Sequence, residues 1–337
     1  MPLTDYYDLL LPAIEKEMKA CVEESQGEGL EELYSMLAYH LGWEGPRSGQ
    51  KAQGKRVRPM MVLLSNAAAG GDWEIALPAA AAVELVHNFS LIHDDIQDNS
   101  PLRRGRKTVW KKWNIPQAIN AGDSMFALAH IALKRLAKQV PDAIALEAYR
   151  ILPEACLTLT QGQYHDLSYE NRTNLSSEDY WPMINGKTAT LIAACTQLGA
   201  LIAGANSETV ENYRKFGEYV GLAFQVYDDI LGIWGDAEIT GKSIESDLVE
   251  GKKSLPVLFA LEKIPSFSER WNNGPIAIEE VPKISTMLES EGVLEFANTT
   301  ADNLTQKALS ILEQTSEISD SRDALQDMAK KLIKRQA

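Results

Sequence analysis

Apolar residues recur every three or four positions through almost the whole chain, and alternating β-branched runs bounded by hairpin signals are nearly absent. Such a pattern puts apolar side chains on one stripe of a helix and leaves no half-buried strand from which to build a sheet, so it predicts an all-α fold. Helices are expected over 6–24, 30–41, 58–69, 75–98, 115–138, 143–167, 177–201, 207–232, 254–262 and much of 276–335. The breaks fall at short stretches rich in Gly, Pro, Asn or Ser, such as Gly42-Trp43-Glu44-Gly45-Pro46, Gly70-Gly71 and Asn99-Ser100-Pro101. None resembles an interdomain linker, and no repeat or low-complexity tract is present. One large helical bundle over residues 1–337 is the expected architecture.

With 45% hydrophobic and 24% charged residues in 337, the chain can bury a sizeable core. Its net charge of −14 argues against a general nucleic-acid binder. Cys21, Cys156 and Cys195 are widely spaced, form no CxxC pair and read as reduced, packed thiols. The opening residues meet acids at Asp5, Asp8, Glu15 and Glu17 without a basic segment leading into a long apolar one, so no secretory signal is expected. The longest apolar runs contain polar residues or fall short of the roughly 18–20 needed to span a bilayer. A cytoplasmic protein with no stable membrane insertion is the expectation.

Asp94, Asp95 and Asp98 close a long apolar helix. Asp94 and Asp98, four apart, share a face about 6 Å apart along the axis, while Asp95 lies about 100° to the side. Carboxylates at a helix C-terminus repel one another and oppose the macrodipole, so a cation is needed to neutralise them; a solvated acidic helix end is the plainer alternative. Mg²⁺ suits one or two open carboxylates, because it keeps waters and substrate phosphates in its octahedron. Tyr227-Asp228-Asp229-Ile230-Leu231-Gly232 repeats the acidic pair at the end of another long apolar helix. Two such helix ends could face each other and hold several Mg²⁺ around one polyphosphate.

Against the negative background, Arg103-Arg104-Gly105-Arg106-Lys107 and Lys111-Lys112 gather basic residues just after the first acidic cluster. Lys55-Arg56-Val57-Arg58 forms a second group, and Lys187, Lys242 and Lys252 each follow a glycine. Glycine lets the backbone approach an anion, and Arg offers phosphate a planar fork where Lys is a compact charge. Solvated basic faces are the competing reading. Gly241-Lys242-Ser243 resembles the end of a nucleotide-binding loop, but Gly235 precedes Gly241 by six positions rather than the required five, and no buried strand leads into it. A diphosphate held by metal and side chains fits better than a nucleotide.

From about Gly54 to Pro256, the order and spacing of these blocks closely resemble the trans-isoprenyl diphosphate synthases. The blocks are Gly54-Lys55-Arg56-Val57-Arg58-Pro59, Asp94 to Asp98, Arg103-Arg104-Gly105, Gly162-Gln163-Tyr164-His165-Asp166, Gly186-Lys187-Thr188, Phe224-Gln225 with Asp228-Asp229, Thr240-Gly241-Lys242 and Lys252. The resemblance implies an isoprenoid synthase fold, a helical bundle around a central cavity, and head-to-tail condensation of isopentenyl diphosphate with an allylic diphosphate. It also implies three Mg²⁺ ions held by Asp94, Asp98 and Asp228, with Asp95, Asp229 and Asp166 on metal-bound waters or second contacts. Arg103, Lys187 and Lys242 would bind the leaving diphosphate. Lys55, Arg58, His87 and Arg104 would hold isopentenyl diphosphate, with Gln163 and Lys252 also lining the site. Lys187, Thr188 and Gln225 would lie near the allylic cation. A homodimer is implied too.

One departure from the family pattern is Gly232, which stands where the usual third aspartate of the second motif is expected. Asp228 alone is expected to supply the essential ligand. Phe89, five residues before Asp94 and about 7.5 Å down the helix, is expected to floor the chain tunnel. A geranylgeranyl (C20) product is therefore expected, with farnesyl (C15) next, and plain core packing is the alternative for Phe89. Two rival functions stay open: a class I terpene cyclase or lyase, which needs no second diphosphate site, and a non-catalytic subunit of a heteromeric synthase.

Overall fold

The computed structural model describes residues 1–170, 172–235 and 247–333. Within them the chain is helical almost throughout, and the apolar stripe sits where the periodicity places it. In helix Leu3–Glu23 the buried residues are Leu3, Tyr6, Leu10, Ile14, Met18, Cys21 and Val22, each three or four from the last until the final turn. Two compact units are distinguished, one of residues 1–153, 195–211 and 316–325, the other of 154–194, 212–315 and 326–337.

In the first unit, helix Leu77–Gln97 is the core element. Residues from Ala79 through Val83, with Leu85 and Val86, have no exposed surface, and the helix packs against Leu3–Glu23, Val57–Ala68 and Ile115–Lys134. With the preceding turn, from Trp73 on, it is long and apolar enough to cross a bilayer, yet 72% of that window is buried inside the protein. Its interior includes Glu84 and Asn88, at 2% and 0% exposure. Glu84 is met by Arg56, whose Nη1 lies 2.8 Å from Oε1, and by Asn88 Nδ2 at 3.0 Å. Arg56 also donates through Nε to Glu15 at 2.7 Å and through Nη2 to the Leu41 carbonyl at 2.9 Å. A buried charge is tolerable only when paired in this way.

The sequence pattern missed one pair of strands. Leu102–Arg103 and Arg106–Lys107 pair antiparallel, and the two-residue turn between them, Arg104 at φ +52° and Gly105 at φ +72°, has the positive φ pair of a type I′ hairpin. Strands of two residues are too short to leave an alternating signature.

The second unit has its own apolar cluster around Phe267, Leu288, Val293, Val257 and Leu248. The run expected as one helix over 177–201 is interrupted: helix Ser177–Ile184 opens on a Ser176/Asp179 capping box, a π-helical segment occupies Asn185–Ala189, and helix Thr190–Ile202 follows. The expected helix within 276–335 likewise divides into Val281–Ser290, Val293–Thr315 and Asp320–Ile333, the first break made at Gly292, φ +80°. Short helices Gln50–Gln53, Val109–Lys112, Asp247–Glu250 and Pro265–Asn272 were not expected.

Candidate active site

In the first unit, helix Leu77–Gln97 ends with Asp98 at its C-cap, its N–H bonded to the Asp94 carbonyl at 2.8 Å. Asp94 is half-buried and Asp98 exposed, whereas Asp95 is 1% exposed and turned inward. Its Oδ1 accepts from Arg103 Nε at 2.9 Å and Nη2 at 2.8 Å. Burial pushes the Asp95 carboxyl up, against the opposing pull of Arg103. Its buried Oδ2 has no protein partner. The acidic helix end and the basic hairpin are thus one structure, with Arg103 bridging them.

The hairpin also sorts the basic residues. Arg104 lies over Gly54: a Cβ at Gly54 would come within 2.6 Å of the guanidinium carbon, and Arg104 Nη1 donates to the Ala52 carbonyl at 2.8 Å. Two basic motifs fifty residues apart in sequence therefore meet, Arg104 lying against the glycine that precedes exposed Lys55. Arg58 Nη1 lies 3.1 Å from His87 Nε2. Burial, reinforced by Arg58 and Arg104, pushes His87 well below the usual histidine range, so Nε2 accepts from the arginine. Arg106, by contrast, is not available to an anion. It donates to the Tyr39 and Glu44 carbonyls at 2.9 and 2.6 Å, and its guanidinium lies 3.9 Å from the Tyr39 ring centroid. His40, which the sequence did not single out, lines a small cavity with Asp95, Arg103 and Arg104. Its buried Nε2 has no partner, and burial with the nearby arginines holds it well below the usual range. Phe89 is half-buried, its ring 5.3 Å from both His93 and Phe126.

In the second unit, two glycines bring the backbones together. A Cβ on Gly186 would lie 2.7 Å from both Gly162 Cα and the Thr158 carbonyl oxygen. This contact sets Lys187, on the π-helical segment, against Asp166, one turn past Gly162, and the two form an ion pair. On the same segment Thr188 Oγ1 donates to Gln225 Oε1 at 2.7 Å, and Gln225 Nε2 donates to Asp229 Oδ1 at 3.0 Å. Gln163 is buried nearby in sequence, at 7% exposure. π-Helical turns of this kind re-aim side chains at functional sites.

Asp228 is half-buried and Asp229 is 1% exposed. Both Asp229 oxygens are engaged. Oδ1 meets Gln225 and Lys252 Nζ, the latter at 3.3 Å; Oδ2 accepts from Tyr180 Oη at 2.7 Å and from the Leu255 N–H at 3.2 Å. Burial pulls the Lys252 ammonium down, but Asp229, Asp247 and Asp228 more than reverse this and leave it raised. Burial, then the Asp229 charge, pushes the Tyr180 hydroxyl well above its usual range, so it stays a donor. Asp229 therefore anchors Gln225 and Lys252. Tyr180 and Asp247 belong to this network and were missed in the sequence, where no local spacing connects them to the second acidic motif. Lys242 lies outside the described residues.

All the candidate metal ligands are carboxylates, the hard oxygen donors Mg²⁺ prefers. Among the described residues, no three His, Cys, Asp or Glu groups converge on one ion-sized point. A site of one or two carboxylates with the remaining positions left to water and phosphate fits Mg²⁺, and the partnerless buried Oδ2 of Asp95 is a further acceptor for a metal-bound water.

Residues 47–284 match the polyprenyl synthetase family. A (2E,6E)-farnesyl diphosphate synthase of Mycobacterium tuberculosis is 38% identical over 312 residues, covering 90% of this chain and 86% of its own. A geranylgeranyl diphosphate synthase of the same organism is 43% identical over 233 residues, 68% of this chain and 66% of its own. Among solved structures, the geranylgeranyl pyrophosphate synthetase of Pyrococcus horikoshii is similar with a TM-score of 0.89 at 30% identity, over 99% of this chain and 98% of that one.

Proposed function

The chain belongs to the polyprenyl synthetase family, and from that premise we propose that it condenses isopentenyl diphosphate head-to-tail with an allylic diphosphate, giving geranylgeranyl diphosphate as main product and farnesyl diphosphate next. It is a trans-prenyltransferase of the all-α isoprenoid synthase fold. The cyclase and the non-catalytic subunit find no support among its relatives. The observation that carries the reading is the pairing of each acidic helix end with its own cation: Asp95 with Arg103, and Asp229 with Lys252. A departing diphosphate needs metal-binding carboxylates and fixed cations side by side.

Asp94, Asp98 and Asp228 would hold Mg²⁺, three ions by the family resemblance, with Asp95, Asp229 and Asp166 on bound waters or supporting contacts. When bound, Mg²⁺ draws negative charge from the leaving diphosphate oxygens. Arg103, Lys187 and Lys242 grip that diphosphate, and the electron pair of the breaking C–O bond leaves with it. Lys55, Arg58, His87 and Arg104 hold isopentenyl diphosphate so that its double bond attacks the allylic carbon. Proton loss completes a product five carbons longer. Thr188 and Gln225 lie near the cation, where their oxygen dipoles stabilise it, and the reaction requires that water be kept from it. Residues 1–337 act as one synthase domain, because the family match includes residues of both compact units. The protein works in the cytoplasm as a homodimer, without membrane insertion.

Purified protein given Mg²⁺, labelled isopentenyl diphosphate and each of dimethylallyl, geranyl and farnesyl diphosphate should yield a linear C20 diphosphate. Hydrocarbons or alcohols formed from the allylic substrate without incorporation of isopentenyl label would overturn the assignment in favour of a cyclase.

A further inference from the structure

A cavity of about 20 Å³ lies within the first unit against the basic hairpin, and His40, Asp95, Arg103, Arg104 and Arg106 are among the residues that line it. Among the described residues, none partners Nε2 of His40, Oδ2 of Asp95 or Nε of Arg106, and all three atoms are buried. The other polar atoms of the two charged groups are committed. Asp95 Oδ1 accepts both bonds from Arg103, and Arg106 donates through Nη1 and Nη2 to the Tyr39 and Glu44 carbonyls. Asp95 is 1% and Arg106 8% exposed, so bulk solvent does not satisfy them. Buried polar groups are almost always paired, and pairing through an ordered water needs room for one, about 10–15 Å³, with two to four polar partners. This cavity meets both conditions. Its three atoms also differ in kind: the Arg106 Nε–H only donates, the Asp95 carboxylate oxygen only accepts, and His40 Nε2 does either according to its tautomer. A water satisfies all three whichever ring nitrogen carries the proton. A metal ion there would meet Arg103, Arg104 and Arg106, and an anion would meet the Asp95 carboxylate.

We propose that one ordered water is a fixed part of this protein, held by His40, Asp95 and Arg106, and that His40 and Arg106 are positioning residues acting through it on Asp95 and so on Arg103. The water joins the end of helix Glu31–His40, the last turn of helix Leu77–Gln97 and the second hairpin strand, Arg106–Lys107. With Oδ1 on Arg103 and Oδ2 on the water, the Asp95 carboxylate cannot rotate without breaking its bonds at both oxygens. A carboxylate oxygen has two lone pairs, so Oδ2 keeps one for a water bound to Mg²⁺. The water itself follows from the cavity and its three atoms; its consequence for a diphosphate gripped by Arg103 rests on the prenyltransferase reading.

The test begins with a high-resolution crystal structure of the metal-free parent chain, in which one water is expected about 2.7–3.2 Å from each of the three atoms. A dry cavity, or a halide or metal ion refined in it, overturns the proposal without recourse to any variant. Calorimetric titration of inorganic diphosphate in the presence of Mg²⁺ then reads the positioning role, with melting temperatures recorded alongside. His40→Leu should weaken diphosphate binding about tenfold. His40→Gln, whose amide still holds the water, should bind close to the parent. A His40→Leu variant that melts lower yet binds diphosphate as the parent does shows a merely structural histidine and overturns the positioning role, as does a His40→Gln variant no better than His40→Leu. A parent that holds the water but neither binds diphosphate with Mg²⁺ nor incorporates isopentenyl label overturns the prenyltransferase reading, and with it the role of the water at the diphosphate, while the water site itself stands.

Discussion

Replacing Arg56 by methionine should unfold this protein far more readily than its neighbours in the same basic motif would suggest. Arg56 is 3% exposed and ties together Glu15, Glu84 and the Leu41 carbonyl. Burial pulls its guanidinium down, and Glu84 and Glu15 more than reverse that, so the pairing is mutual. Methionine retains most of the stem volume but strands Glu84, itself 2% exposed, with only the Asn88 amide at 3.0 Å. Breaking a buried pair from one side costs about 3–5 kcal/mol, against a net stability of about 5–15 kcal/mol. At roughly 1.4 °C per kcal/mol for a chain of 337 residues, the melting temperature should fall by about 4–7 °C. Adding Glu84→Gln to Arg56→Met removes the stranded charge and should restore more than half of the loss, a non-additivity readable by calorimetry. An Arg56→Met variant melting within about 2 °C of the parent would refute the reasoning, as would a second substitution that simply adds its own loss. Because Arg56 lies between Lys55 and Arg58, the single variant should also raise KM for isopentenyl diphosphate well below its melting point.

Acid should destabilise the fold through His40 and His87, which burial and the surrounding Arg103, Arg104 and Arg58 hold well below the usual range. Their folded-state affinity for protons is below that of the unfolded chain, so stability is complete above the ordinary histidine range and falls as pH drops through about 6.5. With two such groups the slope approaches about 2.7 kcal/mol per pH unit, and urea unfolding that is flat between pH 7.5 and 5 would contradict it. Gly186→Ala must push the π-helical segment away from Gly162, with a Cβ only 2.7 Å from its Cα; displacement of Lys187 on the order of 1 Å should cut kcat/KM about a hundredfold, and parental kinetics would count against the close contact. Phe89→Ala should release products longer than C20 if its ring, 5.3 Å from Phe126, floors the tunnel. Unchanged product sizes in the labelled assay would return Phe89 to plain packing.

The helices were legible because burial follows the three- and four-residue stripe, as in Leu3–Glu23. The basic hairpin was not, since Arg104 takes a left-handed φ in a turn between strands of two residues. Nor could six clustered basic residues be told apart by spacing. Arg106 is committed to Tyr39 and Glu44 while Arg104 reaches Gly54, and that division depends on contacts with residues fifty or more positions away. The π-helical break at Asn185–Ala189 was hidden inside an apolar run, with only Gly186 to hint at it.

The acidic pairs show where local reading ends. Consecutive helix residues point about 100° apart, so of two adjacent aspartates on a core helix one must turn inward, and an inward carboxylate must be paired. Asp95 and Asp229, each 1% exposed, obey that rule, which makes the second aspartate of each pair an anchor and leaves the first to the outward face. The rule does not name the partner. For Asp95 it is Arg103, eight residues on and already in the motif; for Asp229 it is Tyr180, 49 residues back, and Lys252, 23 ahead. The same separation hides the relation between Gly232 and Asp247. Read along the helix, Gly232 breaks the acidic pattern; read in space, a Cβ there would sit 2.7 Å from Oδ1 of Asp247, so the glycine makes room for a neighbouring carboxylate that no local spacing reveals.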